Sequence, residues 1–343
     1  MKILRKIAIW IVISFVLQFV VLFYVNNYFL TDSAMVKTKK IVTTNTSNSN
    51  EINEIKVNIP SNATNIKPSY DGKYLSYILN NELIILDTKT SKIVKSIYID
   101  GNDIDYYKWL SDRNRVLYLH KELIKKVENL NIETYDVDND QSNSVNKTVY
   151  NSYKSHVTDL TVSPLTNIIY INVAGNNVDD KLFQINIMGE VKEIKLPVSK
   201  IEKMYETQKT DNLIYESSNN IVHIIKNGKN DIYLSKEKYS LIGIDSSDYI
   251  YVGKLKNNLI VKIYYGKADD PLKDWHPIDI DNPIKPDEIF LAPKDDNLYK
   301  IDNGRDLINL FSNKKIYGPG EFITYNENYF EYRNGDNIIL KKY

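Results

Sequence analysis

From about residue 51 onward, apolar and polar positions alternate in short runs broken by Asp, Asn, Ser, Gly and Pro. That is the pattern of half-buried strands joined by tight turns. The clearest instance is NIKPSYDGKYLSYIL, starting at Asn65, where Asp71-Gly72 separates two alternating runs. The same arrangement recurs in DYYKWLSDRNRVLYLH from Asp105, DLTVSPLTNIIYINV from Asp159 and EKMYETQKTDNLIYES from Glu202. It recurs again in LIGIDSSDYIYVGKL from Leu241, EIFLAPKDDNLYKID from Glu288 and FITYNENYFEYRN from Phe322. Each copy is a run, a polar turn and a second run with a tyrosine at an equivalent place: Tyr77, Tyr118, Tyr170, Tyr215, Tyr251, Tyr299 and Tyr332.

These tyrosines are spaced about 33 to 52 residues apart. A period of roughly 40–45 residues, each unit opening on a hairpin, is the trace of a propeller blade. The rest of the units agree. NELIILDTKTSKIVKSIYI reads as strand, Asp87–Thr90 turn, strand; KLFQINIMGEVKEIKL bends at Met188-Gly189, and NIVHIIKNGKNDIYLS at Asn227-Gly228. Asp and Thr bond the local backbone at turns, and Asn-Gly is a strong hairpin signal. One unit is therefore four antiparallel strands. The last unit supplies three strands before Tyr343, and NEIKVNI, 53–59, has no partner of its own. An open edge is a liability, so this early run is expected to complete the last blade. The prediction is an all-β, seven-bladed β-propeller over 51–343, with six blades as the alternative if one weak copy is an insertion. The aligned tyrosines are expected to pack between blades.

The stretch SYDGKYLSYI resembles the SPDGKxLAY-type signature of the propeller repeats in TolB and in the N-terminal propeller of dipeptidyl-peptidase IV. TVSPLTNIIYI keeps the Ser-Pro and lacks the Asp-Gly; LAPKDDNLYKI keeps a proline and two aspartates. The resemblance implies the fold, on which many chemistries are built. A peptidase would also need a G-x-S-x-G elbow and a second domain. No such pentapeptide is present, so the resemblance stops at the propeller.

The first residues follow another pattern. Positions 7–25 carry no charge and only Ser14 and Gln18 are polar. Nineteen helical residues rise about 28 Å, close to the hydrocarbon thickness of a bilayer. Trp10, Tyr24 and Tyr28 flank the run as interfacial aromatics do, and Lys2, Arg5 and Lys6 precede it. Residues 1–30 therefore read as a cytoplasmic tip and an uncleaved single-pass transmembrane helix, with cleavage as a signal peptide the alternative. Residues 31–50, dense in Thr, Ser and Asn, read as a flexible stalk. The expected location is the plasma membrane, with the propeller outside it.

Composition narrows the chemistry. The 44 acidic side chains balance the 44 basic ones, which gives no electrostatic reason to expect nucleic acid. There is no cysteine, so disulfides and thiolate sites are excluded, while 27 tyrosines favour pleated surfaces. Richness in Asn, Lys, Ile and Tyr hints at a bacterial source. Asp136, Asp138 and Asp140 have the D-x-D-x-D spacing of a calcium loop, although Gln141 and Lys147 stand where such a loop carries glycine and glutamate. They are the candidate metal ligands, and calcium the candidate cofactor, against a plain polar hairpin. The long, proline-bearing connection YYGKADDPLKDWHPIDIDNPIKPDE carries Trp275 and His276, candidate binding residues if the indole is exposed. No catalytic residues are identified. The reading is a membrane-anchored binding module for an envelope protein, peptide or glycan. The alternative is a propeller-type lyase, lactonase or hydrolase with acidic residues or metal in the central channel.

Overall fold

Seven four-stranded antiparallel sheets form the computed structural model. It describes residues 54–99, 103–125, 127–151, 154–163, 165–175, 178–294 and 296–343, with Lys6, Ser14, Phe15, Leu17 and Gln18. The predicted anchor and stalk lie outside the described residues, those five positions apart. Among the described residues no helix is long and apolar enough to cross a membrane. Met1–Glu51 and Ile52–Tyr343 separate as two units.

Six blades are continuous in sequence: 64–97, 104–151, 156–194, 201–233, 239–284 and 289–316. The seventh joins both ends of the described chain. Glu54–Asn58 pairs antiparallel with Asn337–Lys342, Glu54 opposite Lys341 and Val57 opposite Ile338. The unpartnered run seen in the sequence thus closes the ring, and the structure has seven blades.

The first strand of each blade lies innermost: Thr64–Pro68, Ile104–Trp109, His156–Val162, Ile201–Glu206, Tyr239–Ile244, Ile289–Ala292 and Glu321–Tyr325. Consecutive first strands touch most closely from blade 2 through blade 6. There is no single core. Seven apolar clusters fill the seven gaps between neighbouring blades, from Val57, Leu75, Tyr77, Ile84 and Leu340 between blades 7 and 1 to Phe290, Leu307, Phe330 and Tyr332 between blades 6 and 7. A blade is apolar on both faces, so it is stable only between two others.

All seven aligned tyrosines sit on second strands and are buried in these clusters. Several hydroxyls find carboxylates: Tyr118 donates to Glu133 and Tyr215 to Asp231 within a blade, and Tyr170 donates to Asp211 of the next, each at 2.5 Å. Each ring buries a large apolar area, worth about 1.5–3 kcal/mol, and in these three the hydroxyl bond offsets the cost of the polar end, whereas the Tyr332 hydroxyl is buried without a partner among the described residues.

The turns match their residues. Asp71 Oδ1 accepts from the Lys73 amide at 2.9 Å, and Gly72 takes φ +71°. A Cβ at Gly72 would also lie 2.6 Å from the Tyr329 ring of blade 7, so this glycine allows two blades to meet. Asn227-Gly228 has φ of 51° and 59°, both positive as a type I′ turn requires.

These first turns also bond sideways to one another. Asn326 Nδ2 donates to the Ser69 carbonyl at 2.7 Å, Asn114 Nδ2 to Asp71 at 3.1 Å and Ser163 Oγ to the Gln208 carbonyl at 2.8 Å. Asp248 receives the Gln208 and Lys209 amides, and Asp296 the Ser246 amide and hydroxyl. Lys294 bonds Asn328. The result is a belt of polar contacts around one mouth of the ring, crossing six of the seven blade junctions among the described residues.

Candidate functional site

Where the innermost strands part around blades 7, 1 and 2, a chamber of about 1030 Å³ opens. It runs along Thr64–Pro68 and Glu321–Tyr325, and is lined further by Tyr106 and Lys108 of the adjacent blade 2 strand and by Tyr205 of blade 4. Its lining is unusually rich in rings: Tyr70, Tyr106, Trp109, Tyr205, Phe322 and Tyr325. Strand alternation places them there. In Ile104–Trp109, Tyr107 and Trp109 pack toward blade 1, so Tyr106 and Lys108 point the other way. Tyr205 and Tyr325 are in polar contact with each other; that contact, and then burial, hold the Tyr205 proton well above its ordinary range. Burial pushes Tyr325 up to about 12.

Two ammonium groups share one wall. Lys67 Nζ donates to the Tyr107 carbonyl at 2.8 Å and lies 4.7 Å and 4.9 Å from the centroids of the Tyr106 and Tyr107 rings. Lys108 Nζ donates to the Leu160 carbonyl of blade 3 at 2.7 Å. Neither forms an ion pair among the described residues. Burial, and then the neighbouring Lys108 charge, lower Lys67 to about 8. Asp159 favours the Lys67 charge without pairing with it, and accepts from the Tyr106 hydroxyl at 3.2 Å and the Leu160 amide at 2.8 Å.

Three glutamates belong to this neighbourhood. Glu327, in the first turn of blade 7, lines the chamber without a bonded partner among the described residues, and burial raises it to about 7 against the pull of Lys108 and Lys294. Glu206, at the end of the blade 4 inner strand, is raised to about 9 by burial and then by Asp211; its Oε2 has no partner. Glu331 is fully buried, neither oxygen has a partner, and burial raises it to about 8 against the attraction of Lys67.

The sequence-derived candidates lie elsewhere. Asp136, Asp138 and Asp140 form the hairpin joining the two outer strands of blade 2, and each faces its own partners. Asp136 bonds Arg115 at 2.8 Å; Asp138 takes Lys73 at 2.7 Å and the Tyr74 hydroxyl at 3.0 Å; Asp140 takes Lys95 at 3.0 Å and the Tyr135 hydroxyl at 2.8 Å. Among the described residues no three His, Asp or Glu side chains gather as a metal-binding group. Trp275 is 4% exposed: its indole covers Gly266, its Nε1 donates to the Asp270 carbonyl at 3.1 Å, and it joins the cluster between blades 4 and 5. It pins its loop to its own blade instead of facing a partner. His276 is exposed and its ring centroid lies 5.0 Å from that of Tyr265.

Sequence reasoning missed the chamber. One signal was available. The residue before each aligned tyrosine is Ser76, Leu117, Ile169, Ile214, Ile250, Leu298 and Glu331. The two polar residues of that column, Glu331 and Ser76, belong to blades 7 and 1.

No family model matches the chain, and no curated protein matches it in sequence. Among solved structures it is similar to the β-propeller domain of Cps50 (Swd1) from Myceliophteria thermophila, with a TM-score of 0.53 and 12% identity over 83% of this chain and 98% of that one. A luciferin-regenerating enzyme aligns with a TM-score of 0.42 and 12% identity over 69% and 82% of the two chains, a likeness too loose to carry an argument. At such identities only the fold is shared.

Proposed function

We propose that this β-propeller is a non-enzymatic binding module of the cell envelope, tethered by its apolar 7–25 segment and presenting the chamber between blades 7, 1 and 2 to a ligand outside the membrane. One observation carries the binding role: a chamber of about 1030 Å³ walled by aromatic rings, with ammonium groups that still have unused donors. Pre-formed concave sites with a few convergent polar groups are where propellers and other rigid scaffolds hold ligands. The apolar run and its flanking lysines support the tether, and SYDGKYLSYI supports a place among TolB-like propellers of bacteria. The partner is an envelope protein, peptide or glycan.

A specific observation also favours a second reading, a lyase, lactonase or hydrolase acting in the chamber. Glu327 near 7 and Lys67 near 8 both line it, and perturbed groups near neutrality suit acid–base work. Affinity capture from envelope extracts by the full-length chain and by Thr324→Trp, which fills the chamber, tests both. Ligand retained intact by the native chain and lost by the variant supports binding. Ligand recovered cleaved supports the enzyme. Equal capture by the two chains removes the chamber from either account.

A further inference from the structure

We propose that the chamber's ligand is an acidic saccharide, its anionic group bridging Lys67 and Lys108 and its sugar faces resting on the tyrosine wall. This rests on the chamber being the binding site. Two like charges are held on one wall, on adjacent innermost strands, and each spends only one of three donors, on a backbone carbonyl. Their repulsion is not relieved by an ion pair among the described residues. An anion accepting from both would relieve it, and charge-assisted bonds of that kind are the strong ones. A carboxylate or a phosphate on the sugar would serve equally.

The remaining surface selects the body of the ligand. Five amphipathic rings, Tyr70, Tyr106, Trp109, Tyr205 and Tyr325, stand along the lining, and polar groups such as Thr64, Asn65, Ser111 and Asn326 lie between them. A sugar has the matching surface: C–H faces for rings, hydroxyls for amides and alcohols. The volume suits an oligosaccharide, since pockets of about 300–1,000 Å³ hold drug-sized molecules. A free inorganic anion would leave the rings unused, and a cationic ligand would meet Lys67 and Lys108.

Affinity should depend on pH. Lys67 faces Tyr106, Tyr107 and Lys108 of blade 2, Asp159 of blade 3 and Glu331 of blade 7. Raising the pH through about 8 removes the Lys67 proton and ionises Glu331, and both changes weaken anion binding.

Isothermal titration of the full-length chain in detergent, with trigalacturonate, glucose 6-phosphate, maltotriose and inorganic phosphate, tests this. The expected result is binding of the acidic sugars at least tenfold tighter than maltotriose or phosphate, weakening with salt and from pH 7 to pH 9. The tighter of the two acidic sugars identifies the anion. Lys108→Met should lose the preference and Lys108→Arg retain it; the salt and pH arms need no variant. Equal binding of maltotriose overturns the inference and leaves the chamber reading intact. Binding of inorganic phosphate as tight as of the sugars, or of a peptide in place of every saccharide, overturns it likewise. Failure of the chamber itself is read separately, as equal envelope capture by Thr324→Trp.

Discussion

Glu331 lets the electrostatics of the ring be tested by a change of two atoms. The carboxyl is fully buried and neither oxygen has a partner, so it keeps its proton until about 8 in the folded chain, against 4.5 for an ordinary glutamate. The unfolded chain releases that proton from pH 4.5 upward, which draws the equilibrium toward unfolding. The loss stops growing near pH 8, where the folded form ionises too. At about 1.4 kcal/mol per unit, Glu331 costs about 3 kcal/mol at pH 7 and about 5 kcal/mol above pH 8. Glu331→Gln keeps the shape and removes the ionisation. Its amide is equally short of partners, a cost that does not change with pH. Urea unfolding of both chains between pH 4.5 and 9, followed by tryptophan fluorescence, should therefore give stability curves that diverge in favour of the variant through this window. Glu206 and Glu327 titrate in both chains, and Lys67, which Glu331 influences, is protonated in both states below about pH 8, so below that pH the difference reads Glu331. Parallel curves would refute the argument, because they would mean that the carboxylate is solvated or paired in the fold.

Two further outcomes follow from the geometry. Val57→Asp puts an unpaired carboxylate into the fully buried closing strand and should cost more than about 3 kcal/mol; a native urea midpoint would mean that the ring does not close there. Trp275→Ala should cost about 3–5 kcal/mol in the same assay and leave ligand capture unchanged, whereas weakened capture at native stability would restore the indole as an anchor.

What the sequence disclosed, and what it hid, follow from different physics. The blade count was legible because Tyr77 and its six counterparts all pack between blades, on one side of their blade or the other, and the turns need particular residues, Gly72 and Asn227-Gly228 among them. The closing strand was legible because an apolar alternating run cannot stay unpaired. For Asp136, Asp138 and Asp140 only the spacing was legible; the partners Arg115, Lys73 and Lys95, which take one carboxylate each, come from distant parts of the chain or a facing strand. The burial of Trp275 was not legible, because a loop in sequence can be a buried plug in space. The chamber was hidden because alternation tells which side of a strand Tyr106 and Lys108 occupy, not how far apart the innermost strands stand.

The strand that completes the ring, Glu54–Asn58, is also the one into which the preceding chain leads. Any tension drawn through residues before Glu54 falls first on its ladder with Asn337–Lys342. That ladder is the seam of the molecule, and the six blades made from one stretch of chain have no such joint. Blades 7 and 1, on either side of the seam, both line the chamber. A pull on the preceding chain would thus be felt at the chamber's walls before it reached the far side of the ring.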